Sequence, residues 1–127
     1  MGELYIFEVI EFNIIILLFV MKGKKYMPRI ARKDLNTPFL HVMVQGVNKE
    51  YIFENEQNIK KYLKIIKENK NNYKFEILAY CIMNNHAHFL VYTKDIKLFG
   101  KFMHITNLLY AKMYNKENNR VGVLFRN

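Results

Sequence analysis

The sequence predicts an α+β domain, an antiparallel sheet with two helices on one face in the ferredoxin-like or RRM-like split βαβ order, short of its last strand. Three observations carry this prediction. Two segments repeat apolar residues at helical spacing, three short runs rich in β-branched and aromatic residues have the length of strands, and their order is strand, helix, strand, strand, helix. The 127 residues, 51% of them hydrophobic, make one domain large enough to bury a core.

The first strand is predicted over residues 39–44 and is closed by Gln45-Gly46. His41 lies inside it, and a lone strand histidine reads as a packed or hydrogen-bonded structural residue. Over residues 55–69, Ile59, Tyr62, Leu63 and Ile66 fall at i, i+3, i+4 and i+7 with lysines elsewhere, which predicts an amphipathic helix covering the sheet. A polar stretch at 69–72 ends it, and residues 75–83 supply the second strand. Met83-Asn84-Asn85-His86 predicts a hairpin, because asparagine tolerates the left-handed backbone that tight turns use. The third strand follows at 86–93. A second helix, about 98–115, places Leu98, Phe99, Phe102, Met103, Leu109, Tyr110 and Met113 on one side. Tyr110 continues that apolar stripe as a core residue, whereas Tyr114 is expected at the helix-end surface.

The stretch that points to chemistry is YCIMNNHAHFLVYT, residues 80–93. His86 and His88 are two apart on an extended segment, so both side chains leave the same face of the sheet while Ala87, Phe89 and Val91 leave the other. The apolar face can pack on the helices, which puts the imidazoles on the open side, with nitrogens within reach of one metal ion. Imidazole is the commonest biological metal ligand, although His-x-His alone is a weak signal. The single cysteine, Cys81, excludes a disulfide framework, fits a reducing cytoplasm and reads as a core residue.

Twenty Lys and Arg against eleven Asp and Glu give a net charge of +9, which favours a polyanionic partner such as nucleic acid or an anionic membrane surface. The excess lies from Met27 onward, since three lysines balance three glutamates in residues 1–26. Those 26 residues form an apolar extension, but Glu8, Glu11 and Asn13 leave an unbroken apolar run only over 14–21, too short to span a bilayer. Its lysines follow the apolar run, opposite to a secretory signal. Two readings stand, a weak anchor or a start codon placed upstream of a biological start at Met27. Residues 27–38 carry Arg29, Arg32 and Lys33 between two prolines, a basic arm that either contacts phosphates or is a solvated tail.

Four stretches, MPRIARK (27–33), HVMVQGVNKEYIF (41–53), YCIMNNHAHFLV (80–91) and RVGVLF (120–125), resemble the insertion-sequence-200-like, REP-associated tyrosine transposases of the HUH endonuclease superfamily. The resemblance covers almost all of residues 27–127, taken as the transposase-like domain. Because family members commonly begin near a sequence like MPRIAR, it favours Met27 as the start. It implies cleavage and rejoining of single-stranded or hairpin DNA by a tyrosine that forms a 5′-phosphotyrosine link, with a divalent metal, magnesium or manganese, held by the histidine pair. His86 and His88 are the residues that match.

The resemblance also implies a departure. The family's nucleophilic tyrosine lies in a helix beyond the segment matching RVGVLF, followed four residues on by an Asn or Gln that completes the metal site. That helix and the preceding strand are expected to be absent here, so no catalytic residue is assigned. The expectation is a C-terminally truncated, inactive transposase that binds its metal weakly. The alternative is a non-catalytic module that binds single-stranded or hairpin DNA, with a membrane-tethered remnant as a third, disfavoured reading.

Overall fold

The computed structural model describes residues 38–71 and 73–126. The apolar extension (1–26) and the arm carrying Arg29, Arg32 and Lys33 lie outside the described residues. Strand β1 (Phe39–Gln45) leads through a short 3-10 turn (Val47–Lys49) to helix α1 (Glu56–Lys70), then to β2 (Glu76–Ile82), β3 (His86–Tyr92) and helix α2 (Ile96–Glu117). The strands form one antiparallel sheet in the order β1-β3-β2, so the α+β split βαβ order read from the sequence is the one observed.

Each helix begins where a side chain can accept an otherwise unpaired amide. Asn55 Oδ1 accepts from Asn58 N at 2.7 Å ahead of α1, and Asp95 Oδ1 accepts from Leu98 N at 3.0 Å ahead of α2. Gly46 is required where β1 turns away, because a Cβ there would stand 2.4 Å from the carbonyl oxygen of Glu50.

The core lies between the helices and one face of the sheet. Leu40 and Val44 of β1 and Ala87, Phe89 and Val91 of β3 meet Tyr62 and Ile66 of α1 and Phe99, Phe102 and Tyr110 of α2. Phe53, Tyr62 and Tyr110 make its aromatic centre, with ring centroids 4.9–5.3 Å apart. Both phenol hydroxyls of this cluster are satisfied, Tyr110 donating to the Ile52 carbonyl at 2.5 Å and Tyr62 to Asn107 Oδ1 at 2.8 Å, whereas the buried Thr106 hydroxyl on α2 has no hydrogen-bond partner among the described residues. Burial pushes both phenols well above the ordinary tyrosine value, with a smaller contribution from their charged or phenolic neighbours.

Two details of α2 differ from the sequence prediction. Leu109 is exposed, because the buried row runs through Phe99, Phe102, Thr106 and Tyr110, and Leu109 stands one residue off it. Tyr114 is half-buried against the core instead of standing at the surface, with its hydroxyl 3.4 Å from the Tyr51 carbonyl.

The hairpin forms as predicted, but neither Asn84 nor Asn85 takes a positive φ. Met83 N bonds the His86 carbonyl at 2.8 Å to close the turn. The asparagine carbonyls then tie neighbouring loops to it, Asn84 accepting from Phe53 N at 2.8 Å and Asn85 from Gly46 N at 2.9 Å. Residues 124–126 reach the outer edge of β1, where the last strand of the split βαβ order would lie. There they make a single bridge, Gly46 with Phe125, flanked by Val47 N to Leu124 O and Arg126 N to Gln45 O, both 2.8 Å.

Candidate metal centre

The alternation of β3 sends His86, His88, Leu90 and Tyr92 to the face away from the helices. The antiparallel registers decide what joins them. On β1, Gln45 stands opposite His86, Met43 opposite His88 and His41 opposite Leu90; on β2, Cys81 stands opposite His88. His41 is therefore one step diagonal to His88 on the same face, a separation that long or aromatic side chains can bridge.

They do meet. His41 Nε2 and His88 Nδ1 are joined by a 2.9 Å hydrogen bond, with the two ring planes 11° from parallel and centroids 5.1 Å apart, so the rings lie edge to edge. The His86 ring stands nearly perpendicular to that of His88, 87° between planes and 4.9 Å between centroids. Its Nδ1 donates to Asn85 Oδ1 at 2.6 Å. A metal ligated by both rings would take Nε2 from each, because each Nδ1 is already engaged.

The spacing of the two rings can be compared with what two ligands of one ion would require. With metal–nitrogen bonds near 2.1 Å each ring centre stands about 3.2 Å from the metal, so ligand angles between a right angle and the tetrahedral value give centre separations of about 4.5–5.2 Å. The observed 4.9 Å falls in that interval. Among the described residues no group of three or more His, Cys, Asp or Glu is placed to hold a metal, so the remaining ligands would be water or phosphate oxygens.

The face is more enclosed than the sequence suggests. His88 is only 7% exposed, and Ala79, Cys81 and Leu90 on the same side are fully buried. Cys81 is a buried thiol, in line with a packing residue. His86 is half-buried at the end of β3 beside the hairpin.

Sequence reasoning placed His86 and His88 together but missed the residues that hold them. His41 is hydrogen-bonded, as a lone strand histidine should be, yet its partner is a candidate ligand. Asn85, treated as a turn former, holds His86. The signal for His41 was its odd position in β1, on the face of β3 that also carries His88 if the strands pair; the signal for Asn85 was its adjacency to His86.

The fold is an antiparallel sheet with helices on one face and two neighbouring imidazoles on the other. The family model described as "Transposase IS200 like" matches residues 36–126. The chain belongs to the IS200-like transposase family. No curated protein and no solved structure matches it. Among the described residues no helix is long and apolar enough to cross a membrane.

Proposed function

We propose that this domain binds single-stranded or hairpin DNA and holds a divalent cation, magnesium or manganese, between His86 and His88, and that the 127-residue chain does not itself cleave DNA. The observation that carries the metal assignment is the perpendicular pair of rings 4.9 Å apart with both Nδ1 atoms engaged. A divalent cation at such a site neutralises charge on a phosphoryl oxygen without moving a proton. The chain's own residues set its position: Asn85 holds the His86 ring, β3 holds the spacing, and the antiparallel register brings His41 onto His88. Two neutral ligands leave most of a hard cation's shell to other oxygens, so the binding is weak.

The arrangement of tyrosines supports the non-cleaving reading. Covalent catalysis requires a nucleophile within a few ångströms of the phosphate and in line with the leaving oxygen. Among the described residues, Tyr62, Tyr73, Tyr80, Tyr110 and Tyr114 pack into the helix-side core, the opposite face from the histidine pair, and Tyr51 is exposed in the loop after β1. Tyr92 shares the histidine face but lies four residues beyond His88, about 13 Å along an extended strand.

The test uses a labelled DNA hairpin, manganese and the purified chain. Retarded but non-covalent complexes are expected, with manganese binding lost in the His86→Ala, His88→Ala double variant. A protein–DNA adduct on a denaturing gel, abolished by any single Tyr→Phe change, would make the chain an enzyme. Tight manganese binding would overturn the weak two-ligand site, and binding that survives the double variant would remove the assignment to His86 and His88. For the arm, replacing Arg29, Arg32 and Lys33 by alanine should lower the dependence of log affinity on log salt by about 2–3, as three phosphate contacts predict. An unchanged slope would make residues 27–38 a solvated tail.

A further inference from the structure

We propose that His41 is a positioning residue for His88: its Nε2 accepts the Nδ1–H of His88, holding that ring in the tautomer whose Nε2 lone pair meets the metal. The inference rests on His86 and His88 being the ligands. It begins from one geometric fact, that His41 Nε2 and His88 Nδ1 are 2.9 Å apart. Two imidazole nitrogens at that distance share one proton, and only one of them can carry it. If His88 is the donor, its Nε2 is unprotonated and can ligate. If His41 is the donor, the neutral His88 ring carries its proton on Nε2 and cannot ligate there.

The same face supplies an internal reference. His86 Nδ1 is bonded to Asn85 Oδ1, an oxygen that can only accept, so His86 is fixed as the Nδ1–H tautomer. One acceptor stands behind each ligand ring, a side-chain amide oxygen for His86 and an imidazole nitrogen for His88. Metal-bound histidines characteristically donate their second ring N–H in this way. The near-coplanar arrangement of the His41 and His88 rings, 11° between planes, is the one a linear N–H···N bond prefers. His41 is delivered by register: β1 pairs with β3 so that His41 lies opposite Leu90, one diagonal step from His88. Its role is orientation, since the three histidines do not form a group placed to hold a metal together.

The experiment has a readout that needs neither DNA nor activity. In the metal-free, ¹⁵N-labelled full chain at pH 8, long-range nitrogen–proton NMR correlations report which nitrogen of each imidazole bears the proton. Wild type should show His88 protonated at Nδ1. His41→Leu should shift His88 toward the Nε2–H form and weaken manganese binding, followed by the EPR signal of the free ion, by about 10–100-fold. His41→Gln places an accepting Oε1 near the same point and should restore both. An Nε2-protonated His88 in wild type, with His41 Nε2–H as the donor, overturns the proposal. So does a folded His41→Leu variant that binds manganese as wild type does, or a folded His41→Gln variant that restores neither property. Should His41→Leu fail to fold, the wild-type tautomer and the glutamine variant still decide. Failure of the ligand assignment looks different, because manganese binding then survives the His86→Ala, His88→Ala change or is absent from wild type, while the His88 tautomer still reports on His41.

Discussion

The two faces of the sheet are made from alternate residues of the same strands, and only one of them carries paired imidazoles among its buried apolar residues. Ala87, Phe89 and Val91 point toward the helices and are sealed by an aromatic core, in which the polar atoms of Tyr62 and Tyr110 are paired. His86 and His88, interleaved with them, point the other way into a small hydrogen-bonded group of His41, His88, His86 and Asn85. Stability on the helix side comes mainly from area removed from water, enough to carry the Thr106 hydroxyl, buried and unpaired among the described residues. The histidine side is organised by direction, since two hydrogen bonds decide which nitrogen each ring presents. A strand with a period of two can carry both tasks without conflict.

The largest expected effect tests that division within one strand. Phe89→Ala should cost about 3–5 kcal/mol of stability by urea unfolding, from lost burial and the cavity left among Tyr62, Tyr80 and the helices. His88→Ala, one residue away, should cost about 1–2 kcal/mol, the scale of one hydrogen bond and modest packing. Equal losses would mean that the histidine face belongs to the same core, and that His88 is retained for packing.

A smaller effect concerns the tyrosine that a transposase reading is most tempted to promote. Tyr110→Phe keeps the ring in the aromatic cluster but strands the Ile52 carbonyl, a cost of about 1–3 kcal/mol. DNA binding should remain, and no covalent chemistry should be gained or lost. A stable Tyr110→Phe chain with altered DNA chemistry would place the phenol in the reaction.

Much of this was legible in the sequence because it depends on local periodicity. Ile59, Tyr62, Leu63 and Ile66 announce α1, and His-Ala-His on an extended run announces a shared face. The partnership of His41 with His88 was not legible in the same way, since alternation gives the face within a strand but not the register between strands 47 residues apart. Nor was the outward turn of Leu109 or the inward packing of Tyr114, which depend on how the 22-residue helix lies across the sheet. The asparagines of the hairpin were read for their backbone tolerance, yet their carbonyls and the Asn85 side chain do the organising. Turn preference is a property of residue type, whereas a carbonyl's partner is set by which loop folds over it.

The smallest effect lies at the seam where the two faces meet, beyond the end of β1. Arg120 grips Glu50 with two parallel bonds, Nε to Oε2 at 2.9 Å and Nη2 to Oε1 at 3.0 Å, and also donates to Asn115 Oδ1 and the Val123 carbonyl. This clamp holds residues 120–126 against the loop that follows β1, and Arg126 N in turn bonds Gln45, the residue opposite His86. The hydrogen bond from Arg120 holds the Glu50 carboxyl below its ordinary value of 4.5, partly opposed by burial and assisted by the charge of the guanidinium. A carboxyl lowered in the folded state adds stability that is complete above its unfolded value and is lost as pH falls through the folded one. The contribution is therefore present at pH 7 and fades below about pH 4.5. Because the Glu50 side chain is 39% exposed, solvent screening limits it to about 0.5–1 kcal/mol. Urea midpoints of wild type and Glu50→Gln should differ by that amount at pH 7, converge at pH 3, and approach each other in high salt. A gap that persists unchanged at pH 3 would show that the clamp works by shape and neutral hydrogen bonds, with the charge of Glu50 playing no part in holding the seam.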